Sequence, residues 1–383
     1  MLRQLPFAIL RCILLCVILV ITACSEDDGY EEPPTTVDPT DDDPVDDGNT
    51  GGENETLVVF NPAEVPYQNL SDYNFFQGDI SNLIPQDDVL PYDLQSPLFS
   101  DYAKKKRFIW MPSGVSASYT SDASLLDFPN GTVLIKNFYY INVQPSNTTK
   151  IIETRVMYKL NNTWEFAEYV WNEDQTNAVL DMDGSFTDIT WVNDANETQT
   201  INYRIPSEGE CFTCHKKNDQ PIPIGLKPQN INKVFAYTDG EMNQLEKFQF
   251  QGYLDSYPST IQTVVMWDDT SADITERVRA YIDINCAHCH AEGSHCDYRP
   301  MRFAYNETAI AENLGICVTP DENIGDQFTH IIASGNAARS VLYERISSTD
   351  EAVRMPLLGR TVNHEEGAAL IQEWINSLEP SCN

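Results

Sequence analysis

Between residues 57 and 205 the chain alternates apolar and polar positions with a period near two, the pattern of strands that bury at least one face. The clearest runs are Val133-Leu-Ile-Lys-Asn-Phe-Tyr-Tyr-Ile141, Ile151-Ile-Glu-Thr-Arg-Val-Met-Tyr-Lys-Leu160 and Trp164-Glu-Phe-Ala-Glu-Tyr-Val-Trp171. Turn signals break them at Pro129-Asn-Gly131, Asn161-Asn162 and Asp183-Gly184. Asn161-Asn162, set between two alternating runs, predicts a hairpin. The expectation is an antiparallel β-domain arranged as a sandwich.

Further along, the period lengthens to that of a helix. From Asp273 to Cys286, the residues Ile274, Val278, Tyr281, Ile282 and Asn285 share one helix face, with Ser271 or Asp273 available as N-cap. Asn363-His-Glu-Glu366 fits a capping box with Asn in place of Ser or Thr, and Ala368, Ile371, Trp374, Ile375 and Leu378 then form an apolar stripe. The fold class expected is α+β: an N-terminal antiparallel β-rich domain followed by an α-helical region.

The first residues follow neither pattern. Arg3 and Arg11 flank an apolar run that ends at Ile21-Thr-Ala-Cys24, an export signal closing on a lipobox-like site. Residues 1–24 therefore read as a lipoprotein signal peptide with Cys24 as the lipidated residue. Residues 25–56 carry no Lys or Arg and many Asp, Glu, Pro, Thr and Gly, so they read as a disordered acidic linker. The tract after Cys24 resembles the acidic address of some surface-exposed bacterial lipoproteins. The expected location is the cell envelope, lipid-anchored to the outer membrane and facing the cell surface, with membrane contact through the lipid only.

A formal net charge of −34 argues against nucleic-acid binding, where phosphate contacts need clustered Lys and Arg. It favours redox partners with a basic face. Lys104-Lys-Lys-Arg107 is the one concentrated positive tract after the linker. It reads as a solvated strand edge before it reads as a receptor for an acidic partner or for haem propionates.

The chemistry lies in the cysteines. Of ten, four fall in Cys211-Phe-Thr-Cys214-His215 and Cys286-Ala-His-Cys289-His290. Each reads C-x-x-C-H, the spacing at which two thiols take up haem vinyl groups while the adjacent imidazole ligates iron. The cofactor expected is haem c, two copies covalently attached, through Cys211, Cys214, Cys286 and Cys289, with His215 and His290 on the irons. Met355, followed by Pro356 and lying between the second motif and the last helix, is the candidate sixth ligand there; a thioether raises the reduction potential. For the first site Met242, Met266, a histidine or an open position all stand. His288 reads as solvent-facing; His295, His330 and His364 read as structural or exposed. Cys296, Cys317 and Cys382 remain, and Cys296 with Cys317 is the candidate disulfide. The rival to haem is zinc, for which C-x-x-C pairs are common half-sites.

Several blocks together resemble a poorly characterised bacterial family that pairs a β-rich region with two C-x-x-C-H segments. They are Ser96-Pro-Leu-Phe-Ser-Asp-Tyr-Ala103, Asp127 to Lys136, Glu153-Thr-Arg155, Tyr169-Val-Trp171, Ile205-Pro-Ser207 and Arg279 to His290. The C-terminal module also resembles class I cytochrome c, with Met355 in the distal position. The resemblance implies a β-rich domain over 57–205, a first haem-binding segment over 206–270 and a cytochrome c-like domain over 271–383. Some members of the family are fused to sugar-dehydrogenase-like modules, which suggests such an enzyme, or another cytochrome, as the redox partner protein. Nothing in the β-domain resembles a nucleophile–base pair, so the chain reads as an exported electron-transfer cytochrome rather than an enzyme. The alternatives are a dihaem peroxidase-like enzyme and a zinc-stabilised surface binding module.

Overall fold

The structure, a computed structural model, describes residues 57–382. The signal segment with Cys24 and the whole acidic linker lie outside the described residues. Everything described belongs to one compact unit, Asn54–Asn383.

The β-rich half contains strands β1 (Leu90–Tyr92), β2 (Lys104–Trp110), β3 (Val133–Val143), β4 (Thr148–Leu160), β5 (Thr163–Trp171), β6 (Ala178–Leu180), β7 (Ser185–Val192) and β8 (Thr198–Ile205). They form a single antiparallel sheet in the order β1-β2-β3-β4-β5-β6, and the β7–β8 hairpin joins β3 at Val143 and Trp191. One sheet replaces the sandwich expected from sequence. Its faces are covered by other segments, so no second sheet is needed to bury them. The β4–β5 hairpin turns where expected: Asn161 and Asn162 have φ of 50° and 64°, the double left-handed turn that matches strand twist.

Alternation along the strands sorts two cores. Phe108, Trp110, Ile135, Val156 and Tyr169 face Tyr73, Phe75 and Phe76 from the segment before β1. Ile109, Leu134, Met157 and Phe166 face the opposite way, toward Leu226, Ile231, Phe248 and Ile284. Residues two places from these last positions share their face. Cross-strand register therefore sets Arg107, Lys136, Arg155 and Glu168 in one row across β2 to β5.

The remaining chain carries helices α1 (Glu208–Cys214), α2 (Pro228–Ile231), α3 (Gln244–Phe250), α4 (Ile274–Cys286), α5 (Ala311–Leu314), α6 (Val341–Ser347) and α7 (Glu365–Ser377), with two small antiparallel hairpins, Lys216–Lys217 with Gln220–Pro221 and Val234–Tyr237 with Gly240–Asn243. Asp273 caps α4, its carboxylate accepting from the amides of Thr275 and Glu276. The α7 cap differs from expectation. His364 holds the N-cap position without a side-chain cap bond. Asn363 instead donates to the Ser347 carbonyl at 2.6 Å and accepts from Arg360. Val278, Tyr281 and Ile282 of α4 pack with Leu370, Ile371, Trp374 and Ile375 of α7. Among the described residues no helix is long and apolar enough to cross a membrane.

A short block ties the two halves together. Phe99 N–H donates to Asn285 Oδ1 at 2.9 Å, and its ring stacks on His364 with centroids 4.2 Å apart. Asp101 accepts from the amides of Thr361 and Val362 at 2.7 and 3.1 Å. Tyr102 donates to Glu366 at 2.9 Å.

Gly367 is where α7 comes closest to α4: a Cβ there would lie 2.3 Å from Tyr281 Oη and 2.5 Å from the ring. Gly367→Ala should cost about 1–3 kcal/mol, the usual range for overpacking a filled core. Gly209→Ala on α1, with no atom within 4 Å of its Cβ, should not destabilise. Urea unfolding of both variants checks this, and equal midpoints would remove the proposed steric limit.

Candidate haem sites

Both C-x-x-C-H segments adopt the same local turn. In the first, α1 starts at a capping box in which Ser207 N–H donates to the Glu210 carboxylate at 3.0 Å. Cys211 and Cys214 then lie one turn apart, and His215 N–H donates to the Cys211 carbonyl at 2.9 Å. In the second, α4 ends at Cys286, and His290 N–H donates to the Cys286 carbonyl at 3.0 Å. Each turn thus presents two thiols and an imidazole from adjoining positions of the backbone.

They open into two large clefts. Cys286, Cys289 and His290 line one of about 1030 Å³, counting space open to solvent, with Phe303, Leu342 and Met355 among its mostly apolar walls. Cys211, Cys214 and His215 line the other, of about 1610 Å³. Cys214, Cys286, His288 and Met355 border both, so the clefts share a wall.

The donors are in the state that ligation needs. Burial pushes His215 and His290 down to about 4, so both imidazoles are neutral at ordinary pH. His215 Nδ1 lies 2.9 Å from the Ile222 carbonyl, a contact that orients the ring and leaves Nε2 free. His290 Nδ1 is buried without a partner. Burial raises the Cys211 and Cys286 thiols to about 12. Cys214 and Cys289 behave as a pair: the Cys289 thiol hydrogen-bonds Cys214, holding Cys214 low and Cys289 high. Each motif therefore brings two thiols and a neutral imidazole to a cleft wall, the donor set that a covalently held porphyrin would use.

Met355 is held in the shared wall. Its amide donates to the Arg345 carbonyl at 2.8 Å, and its own carbonyl accepts from Arg360 Nε at 3.1 Å. The other candidates fall elsewhere. Met242 borders neither cleft, and Met266 is 41% exposed and also outside both. His288 is not solvent-facing: it is half-buried, borders both clefts and leaves Nδ1 without a partner. The turn from Cys286 to Cys289 directs it inward, a placement that spacing alone does not reveal. His364 borders the larger cleft, but Tyr281 and Glu366 occupy its two nitrogens at 3.0 and 3.6 Å. His295 is exposed at the rim of the smaller cleft, and His330 contacts Thr329.

The disulfide differs from expectation. Cys317 pairs with Cys382, Cα to Cα 5.0 Å, and Cys296 remains a buried free thiol on the wall of the smaller cleft. After α7 the chain runs back along residues 332–335, where Ser334 N–H donates to Cys382 Sγ and Ser334 Oγ to the Glu379 carbonyl. That return brings the last cysteine, rather than Cys296, to Cys317.

The Lys104–Arg107 tract splits by strand alternation. Lys104 and Lys106 are exposed, whereas Arg107 is buried and reaches the larger cleft. In the same row Arg155 contacts Glu153 at 2.5 Å and Glu168 at 3.3 Å, the latter an ion pair without hydrogen-bond alignment. Tyr203 donates to Glu153 at 2.6 Å. No family model, no curated protein and no solved structure matches the chain.

Arg155→Met would strand Glu153 and Glu168, 0% and 2% exposed at their side chains. Loss of one partner from such a buried group costs about 3–5 kcal/mol. Burial, and then Glu153, already hold the Glu168 carboxyl well above the usual range, so folding favours its protonated form. Protonation relieves the unpaired charge, so the loss in the variant should shrink as pH falls from 8 toward 5. Denaturant titrations at the two pH values check both size and sign.

Proposed function

We propose that the protein is an exported dihaem c-type cytochrome that transfers electrons, tethered to the outer membrane through Cys24 and facing the cell surface. One observation carries this reading. The two C-x-x-C-H turns open into separate large clefts that share a wall. Cys211 and Cys214 would hold the first macrocycle with His215 on its iron, and Cys286 and Cys289 the second with His290. Haem supplies reversible one-electron chemistry. The chain holds the two groups side by side, keeps their imidazoles neutral and excludes water with apolar walls.

Met355 is the distal ligand proposed for the second site, since it borders the cleft that contains His290. The region from α4 to α7 is proposed to be cytochrome c-like, with the helix entering the motif crossing the closing helix. A redox protein with a basic face, a sugar dehydrogenase or another cytochrome, is the proposed partner, given the net charge of −34.

A second reading has its own support. Ligand atoms of Cys214, His288 and Cys289 lie within 4.8 Å of one another, the makings of a zinc site built across both motifs. It uses one thiol of each pair and neither His215 nor His290, so it leaves the repeated C-x-x-C-H spacing without a role. For a peroxidase-like enzyme the first cleft would need an iron position open to small molecules.

Protein matured in a host that attaches haem c should give two haems per chain by pyridine haemochrome. Zinc at one per chain without a Soret band would overturn the haem reading. Met355→Ala should abolish the sulfur–iron charge-transfer band near the red edge and lower one of two midpoint potentials. An unchanged spectrum would remove Met355 as ligand. A high-spin ferric form that binds cyanide would move the assignment from carrier to enzyme.

A further inference from the structure

In a chain of net charge −34, the larger cleft is bordered by Arg107, Lys136, Arg155, Arg204 and Arg360 against only Glu168 and Glu210. Some of this charge is balanced. Arg204 pairs with Glu210, and Arg155 is held by Glu153 and Glu168. Two others keep donors unspent. Arg107, 5% exposed, gives one nitrogen to Asp93 at 2.7 Å and leaves Nη2 buried without a partner. Lys136 makes no ion pair among the described residues; its ammonium lies 4.7 Å above the Phe138 ring. Arg360 spends its donors on carbonyls and on Asn363 Oδ1, and adds only its charge.

Arg107 and Lys136 are cross-strand partners, so the sheet holds their heads side by side, while Arg360 approaches from the Met355 loop. Burial, then Arg107 and Arg155, pull the Lys136 ammonium well below its ordinary range, and similar causes bring neighbouring Lys105 to about 7. Cations gathered in a low-dielectric wall need an incoming counter-charge. The lining of this cleft combines two thiols and an imidazole with cations of the sheet. An occupant that is tethered at the thiols and carries its own anions engages both, at high effective concentration.

We propose that Arg107 and Lys136 form a carboxylate-binding wall that holds the propionates of the porphyrin attached at Cys211 and Cys214. This rests on the haem reading and adds to it the orientation of the first macrocycle. The wall also explains why these cations sit inside the fold rather than on its acidic surface. A diffusible polycarboxylate has the same chemistry and is separated by the test.

The test uses the full-length matured protein and its Lys136→Met and Lys136→Arg variants. Lys136 has no carboxylate partner, so its removal strands no buried anion. Haem content by pyridine haemochrome should stay at two per chain in all three. In Lys136→Met one of two midpoint potentials should shift negative, because a cation near the propionates favours the reduced state. Lys136→Arg should restore it, and the potential assigned to the Met355 site should move least. Citrate should give wild-type holoprotein no thermal stabilisation. With both haems present, unchanged potentials in Lys136→Met would overturn the carboxylate wall. Stabilisation of wild type by citrate, lost in Lys136→Met, would overturn it in favour of a diffusible anion. Absence of haem at Cys211 and Cys214 would instead bring down the underlying reading.

Discussion

The architecture depends on a clasp between two buried charges. Arg360, 4% exposed, reaches across the loop from Arg354 to Asn363 and donates to the carbonyls of Arg345, Ser348, Met355 and Val362. Asp101, 2% exposed, enters from the sheet side and accepts from Thr361 and Val362. Burial pushes the Asp101 carboxyl up and the Arg360 guanidinium down, and each charge partly offsets the cost of the other. Satisfied networks of this kind fix a unique geometry, because any displacement leaves a buried polar group unpaired. Here the geometry fixed is that of the wall between the two clefts, Met355 included.

Short-range signals in the sequence translate directly into structure. Asn161-Asn162 turns the β4–β5 hairpin, since only residues tolerant of left-handed backbone fit that turn. Asp273 caps α4 because its carboxylate reaches amides two and three residues on. The C-x-x-C-H spacing places thiols and imidazole on one turn by backbone geometry alone. The antiparallel sheet and the helical second half were equally legible, being statements about period.

Long-range closure was not legible. The Cys317–Cys382 bridge depends on where α7 leaves the chain, 65 residues after its first partner, and nothing local encodes that return. The inward turn of His288 depends on the first motif lying against the second. The Ser96–Ala103 block carries no chemical motif, yet it joins the sheet to α4, α7 and the Met355 loop. Its polar and small residues serve contacts more than 180 residues away, which a reading by period or spacing cannot reach. The Lys104–Arg107 tract shows the same limit: composition reports four cations, and only the folded strand shows that Lys105 and Arg107 turn away from the exposed face of Lys104 and Lys106.

The two clefts differ in a way that bears on direction. The smaller is walled mostly by apolar side chains and Met355, whereas the larger adds the cations of the sheet, Arg107 and Lys136 among them, to its apolar walls. Both environments favour a reduced iron, one through a soft neutral ligand and low polarity, the other through nearby positive charge. Carboxylates entering the larger cleft would neutralise that charge and remove part of its effect, whereas nothing comparable enters the smaller. On the proposed reading the Met355 site is therefore the higher of the two potentials, and electrons settle there after arriving through the first. The shared wall contains Cys214, Cys286 and His288, the part of the chain that would lie between the two proposed groups.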